Sequence, residues 1–315
     1  MKSNKYLVFL SLLIAFLAFG SCRQKPKEQN ISISGAFALY PLTVKWAEEY
    51  QKLHPDIVID ISAGGAGKGM TDVLSGMVDL AMFSRSVAPQ EVTNGAWSIA
   101  VARDAVVPTV SSSNPCIENL VQHGLTKSQF TEIYSGRKIT GWQQLFPLAK
   151  AEKINIYTRS DACGAGEMWA KFLGTDQELL AGTGVFGDPG IADAVKNDKW
   201  GIGYNNVVYT YDTKSRKPYP GIQAIPIDLN NNGMIDKNEN FYGSLDSIML
   251  AIADSRYPSP PARDLYLISK GKPSKKAATD FISWILTDGQ KYIREAGYVQ
   301  LKAETVEKEK NKLSK

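Results

Sequence analysis

Histidine is nearly missing from this chain of 315 residues. His54 and His123 stand alone, with no cysteine or second histidine close by in the sequence. A zinc centre or a Ser-His-Asp triad needs imidazole beside such partners, so neither chemistry is supported. Cysteine is scarce as well, at three residues. Apart from Cys22, only Cys116 and Cys163 remain, and a single pair in a chain with a large core excludes a disulfide scaffold. Whether those two pair, or Cys163 is a free thiol, stays open. Neither sign of charge dominates. The formal net charge is +4, with lysine and glutamate well mixed, which excludes the basic footprint of a nucleic-acid binder. No internal repeat or long low-complexity tract occurs.

The marked apolar run lies at the start. Residues 1–22, MKSNKYLVFLSLLIAFLAFGSC, place Lys2 and Lys5 before an apolar stretch from Tyr6 to Phe19, then small Gly20 and Ser21 before Cys22. That is the layout of an export signal, too short and too early for a general membrane architecture. Its end resembles the lipobox of bacterial lipoproteins, although Phe19 stands where leucine is commonest. The resemblance implies that Cys22 is acylated and anchors the mature chain to a membrane. An ordinary cleaved signal is the alternative. Loss of residues 1–22 removes two lysines and no acids, so the net charge falls from +4 to +2. Residues 23–30, RQKPKEQN, read as a polar tether.

From Ile31 onward short strands alternate with helices, the pattern of an α/β fold. Leu42, Trp46, Tyr50 and Leu53 recur at helical spacing after Pro41, and Ile57, Ile59 and Ile61 alternate as in a strand. DLAMFSR reads as a strand ending in Ser84 and Arg85. Trp46, Trp169 and Trp284 fall on helical stripes and read as core. The character changes near Val106–Val110, and the proline-rich RYPSPPARD reads as a second crossing. The organisation expected is a first lobe over 31–108, a second over 109–260, and a return to the first over 261–315 ending in a charged, solvated helix. Ligands of such folds bind in the cleft between lobes.

Three turns share a chemistry. SGAFALYP (34–41), SAGGAGKGM (62–70) and RSDACGAGE (159–167) each follow a strand and open a helix. Helix N-termini carry unpaired N–H groups and the positive end of the dipole, and glycine lets the backbone approach a ligand closely. Arg159 adds a planar fork suited to phosphate or carboxylate oxygens. Asp161 either orients Arg159 or accepts a bond from a protonated anion. GGAGKG lacks the spacing of a P-loop.

The run SGAFALYPLTVKWAEEYQKLHPDIVIDISAGGAGKGMTDVLSGMVDLAMFSR resembles the phosphate-binding proteins of phosphate ABC transporters. ITGWQQL (139–145), TRSDACGAGEMWAKFL, GIGY (201–204) and FISWILTDGQKYIREAGYVQL (281–301) extend the likeness over most of residues 31–302. The resemblance implies the two-lobed type 2 periplasmic-binding-protein fold. It further implies a monomer that performs no covalent chemistry, carries no organic cofactor, closes over phosphate and delivers it to a permease. By position, Phe37 and Ala38 match the first anion loop and would act through backbone N–H. Ala66, Gly67, Lys68 and Gly69 match the second, and Ser84 and Arg85 the end of the third strand. Arg159, Asp161, Cys163, Gly164 and Ala165 match the arginine loop.

This chain departs from the family pattern at several of these positions. The family commonly has hydroxyl residues where Phe37, Ala66, Cys163 and Ala165 stand, and often an aspartate at Arg85 that accepts the proton of hydrogen phosphate. Arg85 is either a second clamp for a more highly charged anion, such as sulfate or molybdate, or an arginine on the lip paired with an acid. An exported phosphate-ester hydrolase is the rival from another class. Its nucleophile would be Cys163, whose thiol should have a lowered pKa at a helix N-terminus beside arginine. A surface protein that keeps the fold for adhesion or sensing is a third reading.

A separate signal is DLNNNGMIDKNE (228–239). Asp228, Asn230, Asn232, Asp236 and Glu239 supply side-chain oxygens, Met234 its carbonyl and Gly233 the sharp turn, as in an EF-hand calcium loop. The strand-like GIQAIPI before it replaces the first helix, so a structural calcium site is expected rather than a sensor. A plain Asn-Gly turn is the alternative.

Overall fold

The computed structural model describes residues 29–147 and 151–314. The export segment 1–22 with Cys22, and the tether up to residue 28, lie outside the described residues. The elements run β1 (Gln29–Gly35), α1 (Tyr40–Leu53), β2 (Ile57–Ala63), α2 (Ala66–Ser75), β3 (Leu80–Phe83), α3 (Pro89–Thr93) and β4 (Ala96–Ser111). The second half of the alternation comprises α4 (Ile117–His123), β5 (Leu125–Thr126), α5 (Lys127–Tyr134), β6 (Asn155–Arg159), α6 (Gly164–Leu173), β7 (Thr183–Val185), α7 (Gly187–Asn197) and β8 (Gly201–Asn206). The chain closes with β9 (Ile222–Ala224), β10 (Ile227–Asp228), α8 (Leu245–Ala253), β11 (Ala262–Lys270), α9 (Lys276–Ile285) and α10 (Ala303–Ser314).

Two lobes follow from the strand order β2-β1-β3-β11-β4-β8-β6-β7, with β9 added to β4. β1 pairs in parallel with β2 and β3, and β6 in parallel with β8 and β7. β4 joins the two halves. It pairs antiparallel with β11 from Ala96 to Ala105, then with β8 from Val106 to Val110. One strand therefore belongs to both lobes, and the handover falls beside the register pair Asp104–Arg263. The first lobe's core gathers Ile31, Leu42, Trp46, Leu267 and Phe281, and the second gathers Val107, Phe130, Trp142, Trp169 and Tyr204.

Helix α1 starts with Pro41 in its first turn, where a missing N–H costs nothing. Its expected stripe is buried at Leu42, Trp46 and Tyr50, but Leu53 is 62% exposed. Leu53 is the last helical residue, where the chain turns off the sheet, so the periodicity runs one position past the surface that needs it. Trp169 and Trp284 are buried, as their helical spacing predicts.

The charged tail is also more than a solvated helix. The β4–β11 register shifts between Leu265 and Tyr266, opposite Ala100–Ala102. The Ala100 N–H donates instead to Glu309 Oε2 on α10 at 3.1 Å, and Lys312 Nζ pairs with the same oxygen at 2.7 Å. Glu309 is buried, so its carboxylate satisfies a main-chain donor that the ladder leaves free. Glu309→Ala should lower unfolding free energy by about 1–3 kcal/mol in denaturant titration, with a smaller loss for Glu309→Gln. An unchanged midpoint for Glu309→Ala would show that this contact does not hold the tail.

Candidate functional site

The three glycine-bearing turns meet where the lobes face each other. The Gly35 carbonyl, at the end of β1, accepts from Gly64 N (2.9 Å) and Gly65 N (3.0 Å), tying the first turn to the second. Gly65 caps α2 with φ of 91°, a conformation that other residues avoid. A Cβ there would lie 2.7 Å from Asp161 Oδ2 of the opposite lobe. Gly67 N donates across the cleft to Ala162 O at 3.1 Å. Gly164, which opens α6, packs so closely on Ser84 at the end of β3 that a Cβ would lie 2.3 Å from the serine carbonyl and hydroxyl oxygens. Side chains larger than hydrogen at these two glycines would hold the lobes apart.

What this packing leaves free matters most. Ala38, Ala66, Gly164 and Ala165 are all buried. Among the described residues no carbonyl or side chain accepts from their amide N–H groups. Three of these N–H groups lie in helix first turns, which lack intrahelical partners, so the four donors from both lobes are available to an acceptor. Two of them open α6, and Ala66 opens α2. Both helix ends bring the positive end of a dipole to the same place.

Arg159 ends β6 with its side chain 1% exposed. Its Nε donates to Asp161 Oδ1 at 2.8 Å, its Nη2 to Asp161 Oδ2 at 2.5 Å, and its Nη1 to Asp188 Oδ2 at 2.5 Å. Burial opposes the guanidinium charge, but the two carboxylates outweigh it and raise the pKa further. A guanidinium has five N–H donors, so one on each terminal nitrogen remains for a ligand. The group also lies over the Phe37 ring at 5.4 Å, and Phe186 meets that ring edge-on at 5.7 Å. Asp161 Oδ1 takes a second bond from Gly187 N at 3.1 Å, whereas Oδ2, among the described residues, accepts only from Arg159 and faces the second turn.

Two of the cations expected at the site are engaged elsewhere. Lys68 pairs with Asp72, one turn on along α2, and its side chain is half exposed. Arg85 forms a bidentate pair with Glu91 (2.6 and 2.9 Å) and an ion contact with Glu167 (2.9 Å), and it covers the Phe83 ring at 4.4 Å. It is thus paired on the lip and is not a free clamp. Burial would raise the Glu91 carboxyl, but its bonds from Arg85 and Ala88 N pull it below the ordinary value.

The expectation of an activated thiol is overturned. Cys163 is the N-cap of α6, with Sγ accepting from Gly166 N at 3.2 Å. Burial pushes its pKa up to about 12, with the neighbouring Arg159 opposing only in part. Desolvation outweighs the helix dipole and the guanidinium, so the thiol is neutral near pH 7. Cys116 and Cys163 are both free and buried. Neither histidine touches these groups: His54 stacks on Tyr50, and His123 Nδ1 bonds Gly233 O.

Sequence reasoning missed Asp188. Its signal is legible in VFGDPG, a fourth strand–turn–helix junction. Asp188 Oδ1 accepts from Asn206 N (3.1 Å) and Asn206 Nδ2 (2.8 Å). Asn206 Oδ1 in turn accepts from Arg263 Nη2. Arg263 Nε reaches Ser84 O at 3.3 Å, and Asp104 Oδ2 lies 3.6 Å from Nη2. A buried polar chain therefore runs from Arg159 to the strands that join the lobes.

The twelve-residue loop after β10 folds around its own oxygens. Asp228, at 1% exposure, accepts from Asn232 N (3.3 Å) and Gly233 N (2.9 Å). Glu239, also buried, accepts from Leu229 N (2.9 Å), Asn230 N (3.1 Å) and Asp236 N (3.2 Å). The Asn230 and Asn232 amides donate to Asp236 Oδ2, and Met234 is exposed. Among the described residues, no three His, Cys, Asp or Glu side chains group as a metal site.

A family profile described as a PBP superfamily domain matches residues 23–289. Protein SphX of Synechococcus elongatus is 24% identical over 287 residues, covering 87% of this chain and 78% of that protein. The phosphate-binding protein PstS of Methanocaldococcus jannaschii is 24% identical over 358 residues, covering 93% and 90%. Among solved structures, one from Clostridium perfringens, provisionally described as a phosphate ABC transporter substrate-binding protein with bound phosphate, superposes with a TM-score of 0.70. It is 20% identical and covers 87% of this chain and 100% of that one. At that identity the likeness establishes the fold.

Asp104 supplies a test of the buried chain. Burial pushes its carboxyl up to about 6, with Arg263 opposing. A carboxyl raised above its unfolded value of about 3.9 stabilises the fold most below that value and loses the contribution as pH rises through about 6. The stability of the wild type relative to Asp104→Asn should therefore fall by about 2 kcal/mol between about pH 4 and about pH 6.5 in denaturant unfolding. A flat difference would mean that Asp104 is not held in the desolvated position described.

Proposed function

This chain belongs to the PBP superfamily, and on that premise we propose that it captures inorganic phosphate outside the cytoplasm for the permease of an ABC transporter. One observation carries the reading. Buried, unpaired N–H groups from both lobes converge with a single guanidinium whose two remaining donors are free. The names of the relatives, which include phosphate-binding proteins, point the same way.

Charge balance favours a protonated oxyanion. Arg159 is already matched by Asp161 and Asp188, so the site holds its anion by directed N–H bonds and helix ends more than by net positive charge. Asp161 Oδ2 keeps a free lone pair toward the cleft. Hydrogen phosphate can donate its proton there, whereas sulfate, with no proton, meets a carboxylate it can only repel. Asp161 thus takes the discriminating role that Arg85 cannot perform. Closure dries the site, which strengthens every bond in it. The closed state then presents a face for the permease to select.

The reading is of a receptor that performs no covalent chemistry, supported by a Cys163 thiol that stays protonated. Residues 1–22 are proposed as the export signal and Cys22 as the acylated anchor, on the layout of the sequence. The loop from Asp228 to Glu239 is proposed as a structural calcium site, supported by its ligand spacing and two buried carboxylates.

Titration calorimetry of residues 23–315 against phosphate, sulfate, arsenate and molybdate tests the main reading. Phosphate should bind and sulfate should not, and Arg159→Lys should weaken phosphate binding by about ten-fold or more, since an ammonium cannot replace the fork. Binding of sulfate or molybdate alone would change the anion, and silence to all four would overturn the receptor. Calcium should raise the melting temperature, and Glu239→Gln should blunt that rise. No response of the wild type to calcium would leave the loop a plain turn.

A further inference from the structure

We propose that Arg85 and Glu167 form a latch between the lobes, and that these positioning residues set how long the captured anion stays bound. The inference rests on the receptor reading. Arg85 follows β3 of the first lobe, and Glu167 lies in the first turn of α6 in the second. Their ion contact, Nε to Oε2 at 2.9 Å, therefore spans the cleft. It forms only when α6, which carries the orphan amides of Gly164 and Ala165, is seated against Ser84.

Exposed ion pairs usually contribute little because two long side chains must be immobilised to make them. Here most of that cost is met within each lobe. Glu91 holds the Arg85 guanidinium through two bonds, and Phe83 lies beneath it at 4.4 Å. Glu167 is held by Lys171, one turn on, through Oε1 at 2.6 Å. Each partner is thus set in place before the lobes meet. Each also keeps a resting partner when they part, Glu91 for Arg85 and Lys171 for Glu167. Opening leaves no bare charge, so the latch adds to the closed state without making release prohibitive.

A second effect follows from position. Glu167 puts negative charge one turn from the amides that await an anion. Lys171 offsets part of that charge in either state and Arg85 adds a second cation on closure, so closure and anion binding favour each other.

The test uses the full-length protein, with inorganic phosphate as probe and stopped-flow fluorescence as readout. Both side chains are partly exposed, and melting curves check that the variants fold. Glu167→Gln should speed phosphate release about two- to five-fold while changing association less than about two-fold. Arg85→Gln should do the same, and the double variant should be no worse than either single one. The difference from wild type should shrink at high salt. Additive effects in the double variant, or unchanged release in Glu167→Gln, would overturn the latch. If the wild type binds no phosphate, the receptor reading fails separately. The latch is then decided by small-angle scattering without ligand, where Glu167→Gln should have a larger radius of gyration than wild type, and equal radii would overturn it.

Discussion

A guanidinium buried to 1% exposure constrains much of what surrounds it. A charge taken out of water must be met by partners of opposite sign, or the site would not fold. Arg159 recruits Asp161 from its own turn and Asp188 from the next junction. Asp188 then needs donors and takes them from Asn206, which engages Arg263 at the joining strands. Each requirement passes to the next element until it reaches Asp104 beside the handover between lobes. The turns between the lobes and the strands that join them are thus ends of one buried polar chain.

The double membership of β4 makes this possible. Because the same strand pairs with β11 in one lobe and β8 in the other, the two lobes meet along a short segment of it. Groups at that segment, Asp104 and Arg263, are the ones able to sense both lobes. Contacts farther out, such as Arg85 with Glu167, tie the two lobes at the rim. The molecule therefore combines a buried polar spine at the joining strands with ion contacts at the rim.

Much of the fold was legible in residue order. Alternating Ile57, Ile59 and Ile61, the Leu42–Trp46–Tyr50 stripe and the glycine junctions each mark an element through local periodicity, and all of these elements are present. The failures share a cause. Leu53 continues the helical period but not the surface beneath it. Glu309 reads as one more charge in a polar tail, yet it satisfies Ala100 about two hundred residues away in sequence. Cys163 has the neighbours of a reactive thiol, but its pKa is decided by how completely the second lobe buries it. Asp188 escaped notice because its partner is identified only by a folded distance.

By itself the sequence determined the strand–turn–helix junctions, the two changes of character that divide the chain, and the donor chemistry of the turns. Those properties depend on neighbours within a few residues. Only the tertiary structure decided which acids hold each cation and how deeply each cation is buried. Arg159 is paired with Asp161 and Asp188 in a buried position, whereas Arg85 is held by Glu91 and Glu167 and Lys68 by Asp72 nearer solvent. Desolvation and pairing depend on what the fold brings within a few ångströms, and no local pattern carries that information.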